Sequence, residues 1–330
     1  TAGFTHGGAP PGGHDKEKGM LAMKLRKAWN IAALAGLFLG VGTGGCSRDH
    51  IEAINLANEG DRQVSVNVEG AIQSYERARQ LDASNHRIIY KLARAYEKKE
   101  DWEKMASVLA QATQQAPEWA NYWFKRGYAL VRMAQAGDKD KFEEAKAPLQ
   151  ECIKRDPNFA ECYHWLAVCL EWTDDAQGAL QNYTAAIEHN PEEPYFYPDP
   201  ASLYVTYKLY SEAEQVLKEG VRMVPATEET RDNLYEMQVL LFQVAQSKND
   251  MAGMLAAAEA AQELGQDAHP ESWFIVGSTY AKMQPPQKEK AVRMLNSFTK
   301  RACRSAKAAQ FKEQCETAAS LLQQMGGTGG

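Results

Sequence analysis

Four side chains that could bind a metal are concentrated in the middle of the sequence: Cys152, Cys162, His164 and Cys169. Thiolates and imidazoles form zinc sites when they occur in closely spaced pairs. Here the intervening segments contain nine, one and four residues, which matches none of the usual zinc patterns. The sequence therefore predicts no metal site, and we interpret these cysteines as small buried side chains.

Motifs for catalysis are missing from the sequence. It contains no Gly-rich phosphate loop, no Gly-x-Ser-x-Gly turn and no His-Glu-x-x-His pair. The adjacent acids Asp174-Asp175 and Glu192-Glu193 lie between predicted helices, where charged side chains are ordinarily solvated. A formal net charge of −6 argues against binding nucleic acid through bulk positive charge. We expect a protein that is not an enzyme, uses no cofactor and binds no nucleic acid.

The N-terminal part has the composition of a targeting segment. Residues 1–22 are rich in Gly and Pro, and we interpret them as a cloning remnant or an over-extended leader. Residues 23–45 follow as a signal peptide, in which basic residues precede an apolar run over 31–41. That run is too short to cross a bilayer core of about 30 Å. The predicted signal ends in small residues directly before Cys46.

The segment Thr43-Gly44-Gly45-Cys46 resembles the lipobox of bacterial lipoproteins, in which the cysteine is diacylated and the leader is cut before it. Thr43 departs from the family, which usually has Leu there. The resemblance implies a lipid anchor on Cys46 and a lipidated linker over 46–51. Because Ser47 stands where inner-membrane lipoproteins usually have Asp, it also implies the outer membrane, with the protein facing the periplasm. The alternative is a plain secreted protein with a chance cysteine.

A 34-residue period organises the rest of the chain, since Pro157, Pro191 and Pro225 are each 34 residues apart. Before each proline, small and large residues recur at i, i+4 and i+7, which places them on one face of a helix. Seven such trios occur: Ala71/Tyr75/Ala78, Met105/Leu109/Ala112, Ala145/Leu149/Cys152, Ala179/Tyr183/Ala186, Ala213/Leu217/Gly220, Met254/Ala258/Ala261 and Ala291/Leu295/Phe298. The spacing predicts seven helical hairpins, each with its trio on the second helix.

This pattern resembles the tetratricopeptide repeat (TPR), in which Trp, Leu, Gly and Tyr on the first helix face Ala, Phe and Ala on the second. The resemblance covers about 52–303 and implies an all-α fold, an α-α superhelix (TPR solenoid) of about seven repeats. Single helical hairpins cannot bury their apolar faces alone, so neighbouring repeats must stack. We expect a capping helix over 304–325 and a disordered tail over 326–330.

Three segments depart from the regular repeat. Gly60-Asp61-Arg62, followed by β-prone residues, predicts a short or broken first helix in repeat one. Pro148 lies within the second helix of repeat three and predicts a kink there. Pro198 and Pro200 fall in the first helix of repeat five, where we expect Asp199 to cap a shortened helix that starts at Pro200.

In this repeat family the first helices line a concave groove, and the resemblance implies that a protein or peptide partner binds there. The candidate side chains are aromatic or charged residues at or beside those positions: Arg87, Tyr90, Arg94, Phe124, Tyr128, His164, Trp165, Trp172 and Phe274. Aromatic rings and arginine are frequent anchors of protein interfaces. The alternative is that the rings pack between repeats. For Phe124 and Tyr128 in particular we expect half-exposed rings.

An exported protein can also form disulfides. Cys303 and Cys315 are a candidate pair, which could meet if the chain turns between repeat seven and the capping helix. Cys152 and Cys162 lie on adjacent predicted helices and form a second candidate pair. At least one cysteine besides Cys46 must remain unpaired.

Together these features predict a non-catalytic, lipid-anchored scaffold on the periplasmic side of the outer membrane, which assists assembly of an envelope complex. In organisation it resembles the pilotins of type IV pilus secretins and the TPR lipoprotein of the outer-membrane barrel-assembly machine. The alternatives are a soluble periplasmic TPR adaptor and a recruiter of cell-wall remodelling enzymes.

Overall fold

The computed structural model describes residues 43–306 and 308–326. The predicted leader, the predicted signal peptide up to residue 42 and the last four residues lie outside the described residues. The described residues divide into two compact units, of which the first ends at Ala95 and the second begins at Tyr96. Within the described ranges every regular element is a helix, and none of these helices is long and apolar enough to cross a membrane.

The first unit contains α1 (Thr43–Gln63), α2 (Val68–Leu81) and the part of α3 (His86–Lys98) up to Ala95. The predicted break in α1 is wrong, because the helix continues through Gly60. A β-carbon at Gly60 would lie 2.5 Å from Cε1 of Tyr75 on α2, so the glycine allows the two helices to approach closely. The helix also includes residues 46–51, for which the sequence predicts a linker.

The second unit contains the end of α3 and, among its described residues, twelve further helices. They are α4 (Trp102–Gln115), α5 (Ala120–Gln135), α6 (Lys141–Arg155), α7 (Ala160–Trp172), α8 (Ala176–His189), α9 (Pro198–Thr206), α10 (Tyr210–Met223), α11 (Arg231–Ser247), α12 (Met251–Gly265), α13 (Glu271–Lys282), α14 (Lys288–Phe298) and α15 (Lys312–Gln324). Repeats three to seven are the pairs α5/α6, α7/α8, α9/α10, α11/α12 and α13/α14, and α4 is the second helix of repeat two. The fold is therefore the predicted all-α succession of helical hairpins, followed by one C-terminal helix.

The second helix of each repeat is held by the predicted trio. Every member of the seven trios is buried, and Ala179, Tyr183 and Ala186 are at most 1% exposed. The 34-residue period thus corresponds to the repeated burial of one face of each second helix.

One turn geometry recurs between the first and second helices of the repeats. A residue with φ between 56° and 63° occurs in four of these turns: Glu100, Asp174, Lys208 and Asn249. In three of them the next residue is an aspartate whose side chain accepts a hydrogen bond from the backbone N–H three residues later: Asp101, Asp175 and Asp250. Each such cap stabilises the start of a second helix by about 1 kcal/mol.

The first helix of repeat five differs from the expectation. It begins at Pro198 instead of Pro200, and Asp199 lies in its first turn without capping it. Both prolines are tolerated because the first N–H groups of a helix have no intrahelical acceptor. A short 3₁₀ turn, Pro194–Phe196, precedes the helix. In repeat three, α6 continues without interruption through Pro148.

The C-terminal helix starts at Lys312, later than the predicted residue 304. A π-helical segment, Thr299–Cys303, and a 3₁₀ turn, Ala308–Phe311, precede it. Phe311, Ala318 and Leu322 pack into a cluster with Phe298 of repeat seven. The helix therefore covers the apolar end of the last repeat, as the repeat architecture requires.

Both candidate cysteine pairs form disulfides. Cys303 and Cys315 form a disulfide with a Cα–Cα distance of 5.7 Å, and Cys152 and Cys162 form another with a distance of 6.2 Å. Cys169 is free and buried. Burial raises the pKa of its thiol to about 12, which makes it a poor nucleophile.

Candidate functional site

Phe124, one of the two rings expected to be half exposed, is buried. Its side chain is 9% exposed, and its ring centroid lies 5.0 Å from that of Phe159, which precedes α7. The expectation for Phe124 is therefore wrong, because the start of the following repeat covers this face of α5. Phe124 packs between repeats, as the alternative interpretation predicts.

Tyr128 and Trp165 form a partly exposed pair of rings from successive first helices. Their centroids are 5.0 Å apart in an edge-on arrangement. Trp102 on α4 approaches Tyr128 from the other side, at 5.8 Å. The Arg132 guanidinium lies 4.6 Å from the Trp102 ring and donates a 2.8 Å hydrogen bond to the Tyr128 hydroxyl. These contacts fix the orientation of the Tyr128 ring.

His164 is 2% exposed and is not available as a surface anchor. Four aromatic rings surround it, with centroids between 5.0 and 5.5 Å away: Trp165, Tyr183, Tyr195 and Phe196. Its Nδ1 has no hydrogen-bond partner, and its Nε2 lies 3.5 Å from Oδ2 of Asp199. Removal from water lowers the His164 pKa to about 3, so the ring is neutral at pH 7.

Asp199 places a carboxylate directly beside this buried histidine. Its side chain is 48% exposed, yet its pKa is raised to about 6, first by desolvation and then by the negative charges of Glu171 and Glu236. Glu171, at the end of α7, accepts a 2.9 Å hydrogen bond from the buried Tyr183 hydroxyl. Burial and nearby carboxylates, including Asp199 and Glu171, raise the Tyr183 pKa as well.

A second pair of carboxylates, Glu161 and Glu193, lies near Tyr195. The pKa of Glu193 is raised by desolvation and by the negative charge of Glu161. The pKa of Tyr195 is raised by burial and by the charges of the same two glutamates. Glu193 is therefore less solvated than its place between helices predicts, because the side chain is partly buried near another acid.

These side chains form one surface of the second unit, which we call the aromatic–acidic patch. Its rings are Tyr128, Trp165 and Tyr195, and its carboxylates are Glu161, Glu171, Glu193 and Asp199. The rings offer apolar contact area, and the carboxylates accept hydrogen bonds and attract positive charge. In the part of the chain that the structure describes, no group of three or more His, Cys, Asp or Glu side chains could hold a metal ion.

The remaining candidate residues lie away from the patch. Arg87 and Arg94 are exposed and Tyr90 is partly buried on α3, in the first unit. Trp172 is 55% exposed and stacks on Phe142 at the turn between the helices of repeat three.

Phe274 belongs to the C-terminal part of the molecule. Its ring lies 5.3 Å from that of Phe298, and it packs against the cluster that α15 covers. Its contacts are those of a residue between the last repeat and the C-terminal helix.

The 34-residue register relates two residues of the patch that the sequence analysis does not select as binding residues. Tyr195 follows Glu161 by 34 residues, so both occupy the same position in their repeats. The prolines of repeat five obscure this equivalence, and the same prolines suggest a helix cap at Asp199 instead of a place in the patch.

Successive helical hairpins, with a side-chain patch on the first helices of repeats three to five and on the turn before α9, define a helical-repeat protein. Residues 88–118 match the family model described as tetratricopeptide repeat. The structure is similar to the C-terminal part of a TPR repeat-containing protein from Cytophaga hutchinsonii, with a TM-score of 0.59 and 14% identity over 77% of this chain and 98% of that one. It is also similar to PilF from Pseudomonas aeruginosa, with a TM-score of 0.50 and 15% identity over 68% and 97% of the two chains. The chain therefore has the TPR fold, and identities this low show the fold alone.

Proposed function

We propose that this protein is a non-catalytic scaffold that holds a segment of a partner protein against the first helices of its repeats. Its lipid anchor at Cys46 would keep it at the outer membrane, facing the periplasm, where it assists assembly of an envelope complex. The TPR fold supports a role in protein–protein interaction, because stacked repeats present extended binding surfaces.

The observation that carries this proposal is the partial exposure of the rings in the aromatic–acidic patch. Tyr128, Trp165 and Tyr195 come from three successive repeats and all keep part of their surface in water. A partner segment that covers them gains apolar burial without first ordering the rings, because neighbouring side chains already hold them.

Site-specific photo-crosslinking tests the binding surface. A benzoylphenylalanine in place of Trp165 should capture one reproducible partner segment in cell-envelope preparations, read by mass spectrometry. The matched control is the same probe in place of Tyr207, which is 56% exposed and lies outside the patch. Equal capture at both positions, or none at Trp165, would contradict the proposal.

Metabolic labelling with palmitate tests the anchor. Label should appear in the wild type and disappear in the Cys46→Ala variant, which should also leave the membrane fraction. Absence of label from the wild type would refute the anchor but not the binding surface. It would favour the soluble adaptor, while capture of a wall hydrolase at Trp165 would favour the recruiter of cell-wall remodelling enzymes.

A further inference from the structure

We propose that the aromatic–acidic patch binds a lysine or arginine side chain from a basic segment of the partner protein. This inference rests on the proposed function, in which the patch holds a partner segment, and it adds the chemistry of that segment. Two observations carry it: carboxylates that no lysine or arginine of the described chain neutralises, and a buried neutral histidine that faces one of them and has an unpaired Nδ1.

The carboxylates of the patch are not neutralised by the chain itself. Among the residues that the structure describes, no lysine or arginine forms an ion pair with Glu161, Glu171, Glu193 or Asp199. Glu214 shows the contrast, because hydrogen bonds from Lys218 and Lys248 lower its pKa.

In the patch the pKa values of Asp199 and Glu193 are instead raised, since each carboxylate is partly desolvated and repelled by its acidic neighbours. A cation bound beside either carboxylate would offset the repulsion from its acidic neighbours. The patch therefore favours a positively charged ligand over a neutral or acidic one.

His164 is the second observation. The side chain is almost fully buried, its Nδ1 has no hydrogen-bond partner, and the ring directs Nε2 at Asp199 from 3.5 Å. Leaving a buried polar atom unpaired is unfavourable. A neutral histidine in this place does not supply the positive charge that Asp199 lacks.

The rings of the patch suit the same ligand. Lysine and arginine pack their alkyl stems and charged heads against aromatic faces. The protein already uses this chemistry at one ring of the patch, where Lys125 Nζ and the Arg132 guanidinium lie 5.6 and 5.7 Å from the Tyr128 centroid. No cation of the described chain lies over Trp165 or Tyr195, so these two rings are available to a cation from a partner.

Selection from a random peptide library displayed on phage tests the inference with the full chain. The test variant is Glu171→Gln with Asp199→Asn, in which the new amide oxygen at the first position can still accept the hydrogen bond from Tyr183. The matched control is Glu188→Gln with Glu212→Gln, which removes two exposed carboxylates on second helices and has the same net charge. Both variants should fold, because each replaces a carboxylate by an amide of similar size.

We expect peptides with Lys or Arg at one fixed position to be enriched on the wild type and on the control, and not on the test variant. In a selected peptide, exchange of that arginine for the neutral isostere citrulline should weaken binding by about tenfold or more. Equal enrichment on the test variant and the control would show diffuse attraction to an acidic surface and overturn the inference.

The two proposals fail in different ways. Enrichment of peptides without a fixed basic residue, abolished by Trp165→Ala, would leave the binding surface in place and refute the cationic ligand. Absence of any enriched peptide on the wild type would count against both.

Discussion

Gly127 on α5 lies directly against Leu149 on α6, and a β-carbon at Gly127 would be 2.6 Å from Cγ of Leu149. The same relationship holds in repeat seven, where a β-carbon at Gly277 would be 2.9 Å from Cγ of Leu295. Each pair joins a small residue on the first helix to a large one on the second, at the point where the helices are closest.

Repeat six has the large residue on the first helix and the small one on the second. Phe242 on the first helix packs against a buried cluster that contains Ala258, the central residue of the second-helix trio. The repeat therefore specifies the summed volume of the pair more strictly than the identity of either residue.

The first prediction concerns that volume. Gly127→Ala should destabilise the protein by about 1–3 kcal/mol, because the added methyl group overlaps Leu149. Leu149→Ala should cost about 2–5 kcal/mol through the cavity it leaves. The double variant should be more stable than the sum of the two effects by about 1 kcal/mol or more, since each change relieves the other. Urea unfolding of the four proteins measures this coupling, and simple additivity would contradict the contact.

A second prediction follows from the titration of His164. The folded-state pKa is lowered from 6.5 to about 3, so the histidine's contribution to stability is complete above pH 6.5 and is lost as the pH falls towards 3. Between about pH 7.5 and pH 5 this loss amounts to about 2 kcal/mol. His164→Phe should abolish it.

Asp199 must be separated from this effect because it acts with the opposite sign. Its folded-state pKa is raised, so it favours the folded state at low pH, and this contribution is lost as the pH rises towards about 6. Comparing the free energy of unfolding of His164→Phe with that of the wild type at each pH isolates the histidine. Parallel pH profiles for the two proteins would show that His164 is not buried as a neutral ring.

The third prediction concerns the Cys303–Cys315 disulfide. Its two cysteines are 12 residues apart, and a loop of this size corresponds to about 3 kcal/mol in the chain-entropy model. Replacing both cysteines by serine should therefore release α15, with faster proteolysis of the C-terminal segment. Because repeats contact only their neighbours, hydrogen exchange in α7 and α8 should not change.

Cys152→Ser with Cys162→Ser provides the matched comparison for that experiment. Both cysteines are fully buried in the centre of the repeat array, so this variant should loosen α6 and α7 and leave α15 protected. The same protection pattern in both variants would contradict a nearest-neighbour organisation.

The fourth prediction distinguishes packing residues from binding residues. Phe124→Ala should cost roughly 3–5 kcal/mol of stability, because the ring is buried between repeats. Trp165→Ala should cost roughly 1–2 kcal/mol, because its ring is only partly buried. A peptide selected on the wild type should bind Phe124→Ala normally at a temperature where that variant is folded, and should bind Trp165→Ala at least about tenfold more weakly. The reverse order of affinities would place the binding surface elsewhere.

The period of the repeat could be predicted from the sequence because it depends on local spacing. Residues at i, i+4 and i+7, such as Ala179, Tyr183 and Ala186, must share a helix face whatever surrounds them. The two cysteine pairs were also accessible, since adjacent helices joined by a short connection bring Cys152 and Cys162 together. The continuity of α1 through Gly60 could not be predicted from the sequence, because it depends on contact with Tyr75.

The binding surface depended on tertiary structure. A first helix packs on two sides, against its own second helix and against the next repeat. Periodicity alone therefore does not show whether the Phe124 ring or the Trp165 ring stays in contact with water. The structure decided it, because Phe159 covers one ring and nothing of the described chain fully covers the other. The raised pKa of Asp199 likewise exists only once folding removes water and brings Glu171 close, since a pKa depends on the environment of a group and not on its place in the sequence.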